Sequence, residues 1–133
     1  MDEREVRAWF AAYLADFAAL GRGDHDDVRV LLAHYGVPLL VSTDAGCLSL
    51  TDEEQVLAAV RQQVDGMRAA GYDRSEELSS STTPVNRTCA LHRAAFVRLR
   101  ADGSEIGRIE TTYVVTDGPD GRRISALLGH TAD

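Results

Sequence analysis

The chain has no lysine; all 14 of its basic residues are arginine. Against 21 acidic residues they leave a net charge of −7, which argues against a nucleic-acid or anionic-membrane partner, since both require a basic surface. An all-arginine set of basic residues is read as the mark of a GC-rich bacterial genome. Cysteine is scarce too. Cys47 and Cys89 match no zinc or redox spacing, so each is expected to be a half-buried structural thiol. No apolar run approaches the ~20 residues that span a bilayer. The opening MDEREVR lacks the apolar stretch of a signal peptide, and a cytoplasmic protein is the expectation. Also missing are a glycine-rich phosphate loop, a nucleophile elbow and a heptad repeat. With 133 residues, 44% hydrophobic and 26% charged, the chain suits a single domain spanning 1–133 with one core.

The clearest element is the first helix, where Val6, Trp9, Phe10, Tyr13, Leu14 and Phe17 form one apolar stripe. Asp2 and Glu5 have capping-box spacing, and Gly21 and Gly23 end the helix. A short second helix carries Val28, Leu31, Leu32 and Tyr35, with Asp24 as its cap and Asp27 in its first turn. VPLLVS at 37–42 and Cys47 to Leu50 read as a small hairpin around the turn TDAG. Thr51 and Glu54 are expected to box the start of a third helix through Val56, Leu57, Val60, Val64 and Met67, closed by Gly71. Strands follow over 75–83, 87–100, 105–117 and 122–130, separated by turn signals such as ADGS and GPDG. The predicted order, ααββ-α-ββββ, is an α+β pattern with helices on one side of a mostly antiparallel sheet.

This order resembles the nuclear transport factor 2-like superfamily, which includes SnoaL-like polyketide cyclases and ketosteroid isomerases. The resemblance is carried by VRAWFAAYLADF, GVPLLVS, TDEEQVLAAVRQQV and the terminal TTYVVTDGPDGRRISALLGH. It implies a cone: a curved, mostly antiparallel sheet wrapped around three helices from the N-terminal half, with a cavity at the open end. It also implies that the last hairpin lines the cone, and that the outer sheet face meets a second subunit.

Candidate chemistry comes residue by residue. The resemblance to ketosteroid isomerases puts Tyr13 near the cavity, where its hydroxyl could bond a developing oxyanion; the alternative is a core tyrosine with its hydroxyl at the rim. Trp9 and Phe17 share that face. The isomerase pattern also needs a carboxylate base and a protonated acid. Asp44 falls in a turn and Glu110 on the expected outer face, so the set is incomplete and that activity is not carried over. His130, in phase with Ile124, Ala126 and Leu128, is a second acid–base candidate if that set faces the cavity, and otherwise a solvated strand end. Arg93 alternates with Cys89, Leu91, Ala95, Val97 and Leu99, which makes it either an anion contact or half of an ion pair. On the opposite face, His92 and Phe96 are expected to meet a second copy of the chain. His25, His34, His92 and His130 are scattered and support no metal site; DHDD at 24–27 is read as helix capping.

The preferred reading is a cone-fold protein with a pocket for a small, largely apolar molecule, lined by Trp9, Tyr13, Arg93, Tyr113 and His130, needing no cofactor and assigned no reaction, though isomerase- or cyclase-like chemistry is the nearest class. The alternative is a non-catalytic dimeric association module whose cone is filled by its own side chains, Trp9, Phe10 and Phe17 among them.

Overall fold

The computed structural model describes residues 1–131. Helix α1 (Glu3–Arg22) begins where the Asp2 carboxylate accepts hydrogen bonds from the amides of Arg4 and Glu5 at 2.7 and 3.2 Å. It ends at Gly23, whose φ of 84° is left-handed. Gly21 does not end it. That glycine is buried inside the helix because Met67 and Tyr72 close over it; a Cβ there would sit 2.5 Å from Met67 Cε and 2.9 Å from Tyr72 Cδ1.

The expected second helix is a 3₁₀ segment, Val28–Ala33. Only six residues precede the sheet, a length at which the tighter helix is common. Its cap is Asp27, which accepts from the Arg29 amide at 3.1 Å. Asp24, the expected cap, pairs with Arg22 at 2.9 Å, and Asp26 pairs with Arg68 at 2.7 Å. The acidic run is therefore divided among one cap and two ion pairs.

Strands β1 (Tyr35–Thr43) and β2 (Gly46–Leu50) form the small hairpin. Helix α2 (Glu53–Ala69) is boxed one residue later than expected. Asp52 accepts from the Gln55 amide at 2.9 Å, and the Gln55 side chain accepts from the Thr51 amide at 2.8 Å. Its apolar stripe, Val56, Leu57, Val60, Val64 and Met67, is buried as the spacing predicts. Arg68 ties the two helices together by donating to the Leu20 and His25 carbonyls at 2.9 and 2.8 Å. Arg100 does the same for the end of α2, donating to the Ala70 carbonyl at 2.9 Å. Both bond backbone carbonyls at or just beyond a helix end, and the Leu20 carbonyl also accepts from the Gly23 amide at 3.0 Å.

Strands β3 (Tyr72–Asn86), β4 (Cys89–Arg100), β5 (Glu105–Gly118) and β6 (Gly121–Gly129) complete the sheet. The order is β2-β1-β6-β5-β4-β3, antiparallel throughout except for the parallel pair β1–β6. The result is α+β, a curved six-stranded sheet wrapped over α1 in the shape of a cone. Both edges are protected. β2 has five residues, while β3 is polar, irregular in register at three places, and carries Pro84 where no partner needs its missing N–H. Among the described residues no helix is long and apolar enough to cross a membrane.

The two sheet faces differ from the sequence expectation. On β4 the inward set is Ala90, His92, Ala94, Phe96 and Arg98; His92 and Phe96 are 3% and 4% exposed. They cannot form an outer contact surface, because the ring of Phe10 lies against His92 with centroids 4.2 Å apart. The face with Arg93 is the outer one. On β5 the expectation holds: Ile109, Tyr113 and Val115 turn toward the helices. On β6 a register shift at Ser125 reverses the alternation. Ile124 pairs with Val115 and Leu127 with Tyr113, both inside, so Ala126, Leu128 and His130 lie outside. Of the thiols, Cys89 is half-buried as expected, but Cys47 is exposed on the edge hairpin.

Candidate functional site

The middle of the cone is filled by rings. Phe10 contacts Tyr113 and Tyr13 at centroid distances of 4.6 and 5.3 Å, and Tyr13 contacts Tyr35 at 5.5 Å. The Tyr13 and Tyr35 hydroxyls share a buried hydrogen bond of 2.7 Å. Burial pushes the Tyr13 and Tyr35 phenols well above the usual tyrosine range and Tyr113 up to about 12. All three stay protonated at any ordinary pH. Trp9 sits at the margin of this cluster, edge-on to His34 at 5.6 Å.

His34 was not distinguishable in the sequence from the other histidines, yet it is buried here, at 7% exposed. Its Nε2 is 2.8 Å from an Asp16 carboxylate oxygen, and its buried Nδ1 has no partner among the described residues. His92, on the opposite side of Phe10, bonds through Nδ1 to the Thr82 hydroxyl at 2.8 Å. Burial lowers its pKa below the usual histidine value.

Next to this filled centre lies an open cavity of about 190 Å³ between α2 and the inner face of the sheet. Gln62, Gln63 and Met67 of α2 form one wall; Tyr72, Arg98 and Ile106 of β3, β4 and β5 form the other. Arg98 reaches it because the β4 alternation turns it inward, beside Ser75 and Gly107 in register. Among the described residues nothing accepts a hydrogen bond from its guanidinium or pairs with its charge, and its nitrogens are not sealed from solvent. The charge is close enough to offset a part of the burial effect on all three tyrosines. Arg98 is thus a cation at the edge of the core, facing a cavity. Only the observed direction of β4 exposes its role.

The predicted site residues fall into two groups. Trp9, Tyr13 and Tyr113 are inside, with the rings described above. Arg93 and His130 are outside. Arg93 donates to Glu110 at 3.0 Å, which holds the Glu110 carboxyl below the usual range. His130 Nε2 is 2.7 Å from the Thr112 hydroxyl, and its Nδ1 is 3.9 Å from Glu110. This group forms a polar row across β4, β5 and the end of β6. A second, larger cavity of about 390 Å³ lies between β1 and the β5–β6 turn, with Arg123 and Asp120 in its walls.

A curved sheet of this strand order wrapped over a long helix defines an NTF2-like protein. The chain belongs to the family described as NTF2-like protein (DUF6841), whose model matches residues 2–132. Solved structures show the same fold. A domain of unknown function with a cystatin-like fold from Nostoc punctiforme superposes with a TM-score of 0.71 at 20% identity, covering 98% of this chain and 78% of that one. An NTF2-like protein with a cystatin-like fold from Novosphingobium aromaticivorans gives 0.72 at 16% identity, covering 98% and 82%. A putative calcium/calmodulin dependent protein kinase II association domain from Xanthomonas campestris gives 0.68 at 13% identity, covering 97% and 86%. The chain matches no curated protein sequence.

Proposed function

We propose that this chain binds a compact small molecule in the cleft between α2 and the sheet. The observation that carries the reading is the open 190 Å³ cavity with an unpaired arginine in its wall. This volume is below the ~300 Å³ at which drug-sized ligand sites begin, so the ligand is small. An isomerase- or cyclase-like reaction at Tyr13 is a weaker fit, because its hydroxyl is engaged by Tyr35 and its ring is enclosed by other rings. The test is a fragment screen on the ¹⁵N-labelled protein beside a Gly66→Leu variant. Gly66 lines the cleft, and a Cβ there meets nothing within 4 Å. Binders should shift the amides of Met67 and Ile106 in the native chain and lose affinity in the variant. Fragments that bind both proteins alike would place the ligand elsewhere.

A second reading, self-association, is supported by the outer face. There Leu40 and Leu91 are 40% and 37% exposed beside half-buried Val114 and Leu128. The adjacent row holds both signs of charge, Arg93 and Glu110. Two copies related by a twofold axis can therefore set the arginine of each against the glutamate of the other. In this reading the homodimer uses Leu40, Leu91 and Leu128, in place of His92 and Phe96.

A further inference from the structure

We infer that the cleft is selective for a compact organic carboxylate, held by Arg98 at its charged end and by the Tyr72 ring, Met67 and Ile106 along its apolar body. This rests on the cleft being the ligand site and goes on to name the ligand class. Three features of the wall lead there. The guanidinium is planar and has no partner among the described residues. A planar, forked donor pairs best with a planar anion that accepts two parallel hydrogen bonds. Nearby, Gln62 and Gln63 bring side-chain amides to the same cavity without any carboxylate to compete. Each amide can donate to an anion or accept from a hydroxyl on the ligand. The remaining wall is apolar, and burying it requires a ligand with a hydrocarbon or aromatic part, which inorganic phosphate lacks.

The chain is strongly acidic overall, at −7, so a general attraction for anions does not explain binding here. Selectivity has to come from the local cation. Arg98 also lies near three phenols that burial keeps neutral. None of them neutralises the arginine, and an incoming carboxylate meets an uncompensated charge at the edge of the apolar core. Bonds of this type are stronger than those between neutral groups because the low-dielectric side of the cleft screens them poorly.

The experiment titrates the full ¹⁵N-labelled chain with sodium benzoate, with benzamide as the neutral partner of the same shape, and with inorganic phosphate. Benzoate should shift the amides of Gly66, Met67, Arg98 and Ile106 and saturate, with benzamide weaker by about tenfold or more. Arg98→Gln should abolish that preference, and Arg98→Lys should keep part of it. Thermal unfolding of both variants confirms that they are folded. Equal binding of benzoate and benzamide would overturn the carboxylate assignment and leave the cleft as a ligand site. Phosphate binding as tightly as benzoate would also overturn it, since charge alone would then be read. A benzoate preference that survives Arg98→Gln would move the cation elsewhere. If neither organic probe shifts those amides, the assignment and the cleft reading fail together.

Discussion

Tyr13 and Tyr35 put two hydroxyls into the core and satisfy each with the other, at 2.7 Å. Removing one leaves its partner buried and unpaired, which costs about 1–3 kcal/mol, whereas removing both replaces a polar pair with two rings of nearly the same shape. Tyr13→Phe and Tyr35→Phe should each lower stability in urea denaturation by roughly that amount, and the double variant should cost less than the sum. Additive losses would mean that the two hydroxyls do not depend on each other. His92 gives a second test. Burial lowers its folded pKa, so the unfolded chain binds the proton more readily. Its stabilising contribution is complete above the unfolded value of about 6.5 and is lost as pH falls through the lower folded value. The native protein should lose stability on acidification from about pH 7, ahead of the carboxylate range, and His92→Gln should lack that early loss. An imidazole titration by NMR that put His92 above the free-histidine value would contradict this.

Elements explain which features were legible in the sequence. Period and caps placed both long helices and every strand because those signals are local. The errors came from tertiary choices. Gly21 reads as a terminator, yet its missing side chain is what lets α1 approach Met67 and Tyr72. Gly66, inside α2, faces open space. Outside a contact, Gly→Ala in a helix gains up to about 1 kcal/mol. Gly66→Ala should therefore raise the melting temperature. Gly21→Ala should lower it, since overpacking costs about 1–3 kcal/mol and a tyrosine ring gives way less easily than a methionine tip. A stabilised Gly21→Ala would mean that the helix can move away from β3. The single residue Ser125 accounts for one of the two misplaced site residues: one register shift carries His130 from the inner to the outer face. Arg93 was misplaced for a related reason. Both β4 faces contain apolar residues, and alternation alone does not say which one the helices cover.

At the scale of the whole molecule, the outer face and the net charge make opposing demands. A charge of −7 repeated in two copies is repulsive. A face that holds Leu40, Leu91, Val114 and Leu128 beside an Arg93–Glu110 pair gains by being covered. Repulsion between distant surface charges is screened at physiological salt, while apolar burial and close opposite charges at the face are not. Covering should therefore win, and native mass spectrometry of the full chain should show a dimer. Leu91→Asp places a second acid on that face at a side chain already 37% exposed in the monomer, so it spares the core. It should give a monomer with near-native circular dichroism, and a melting temperature that no longer depends on protein concentration. A native chain that stays monomeric at high concentration and moderate salt would sink the self-association reading. The exposed leucines would then be ordinary surface, and the α2 cleft would be left as the site where this protein meets a partner.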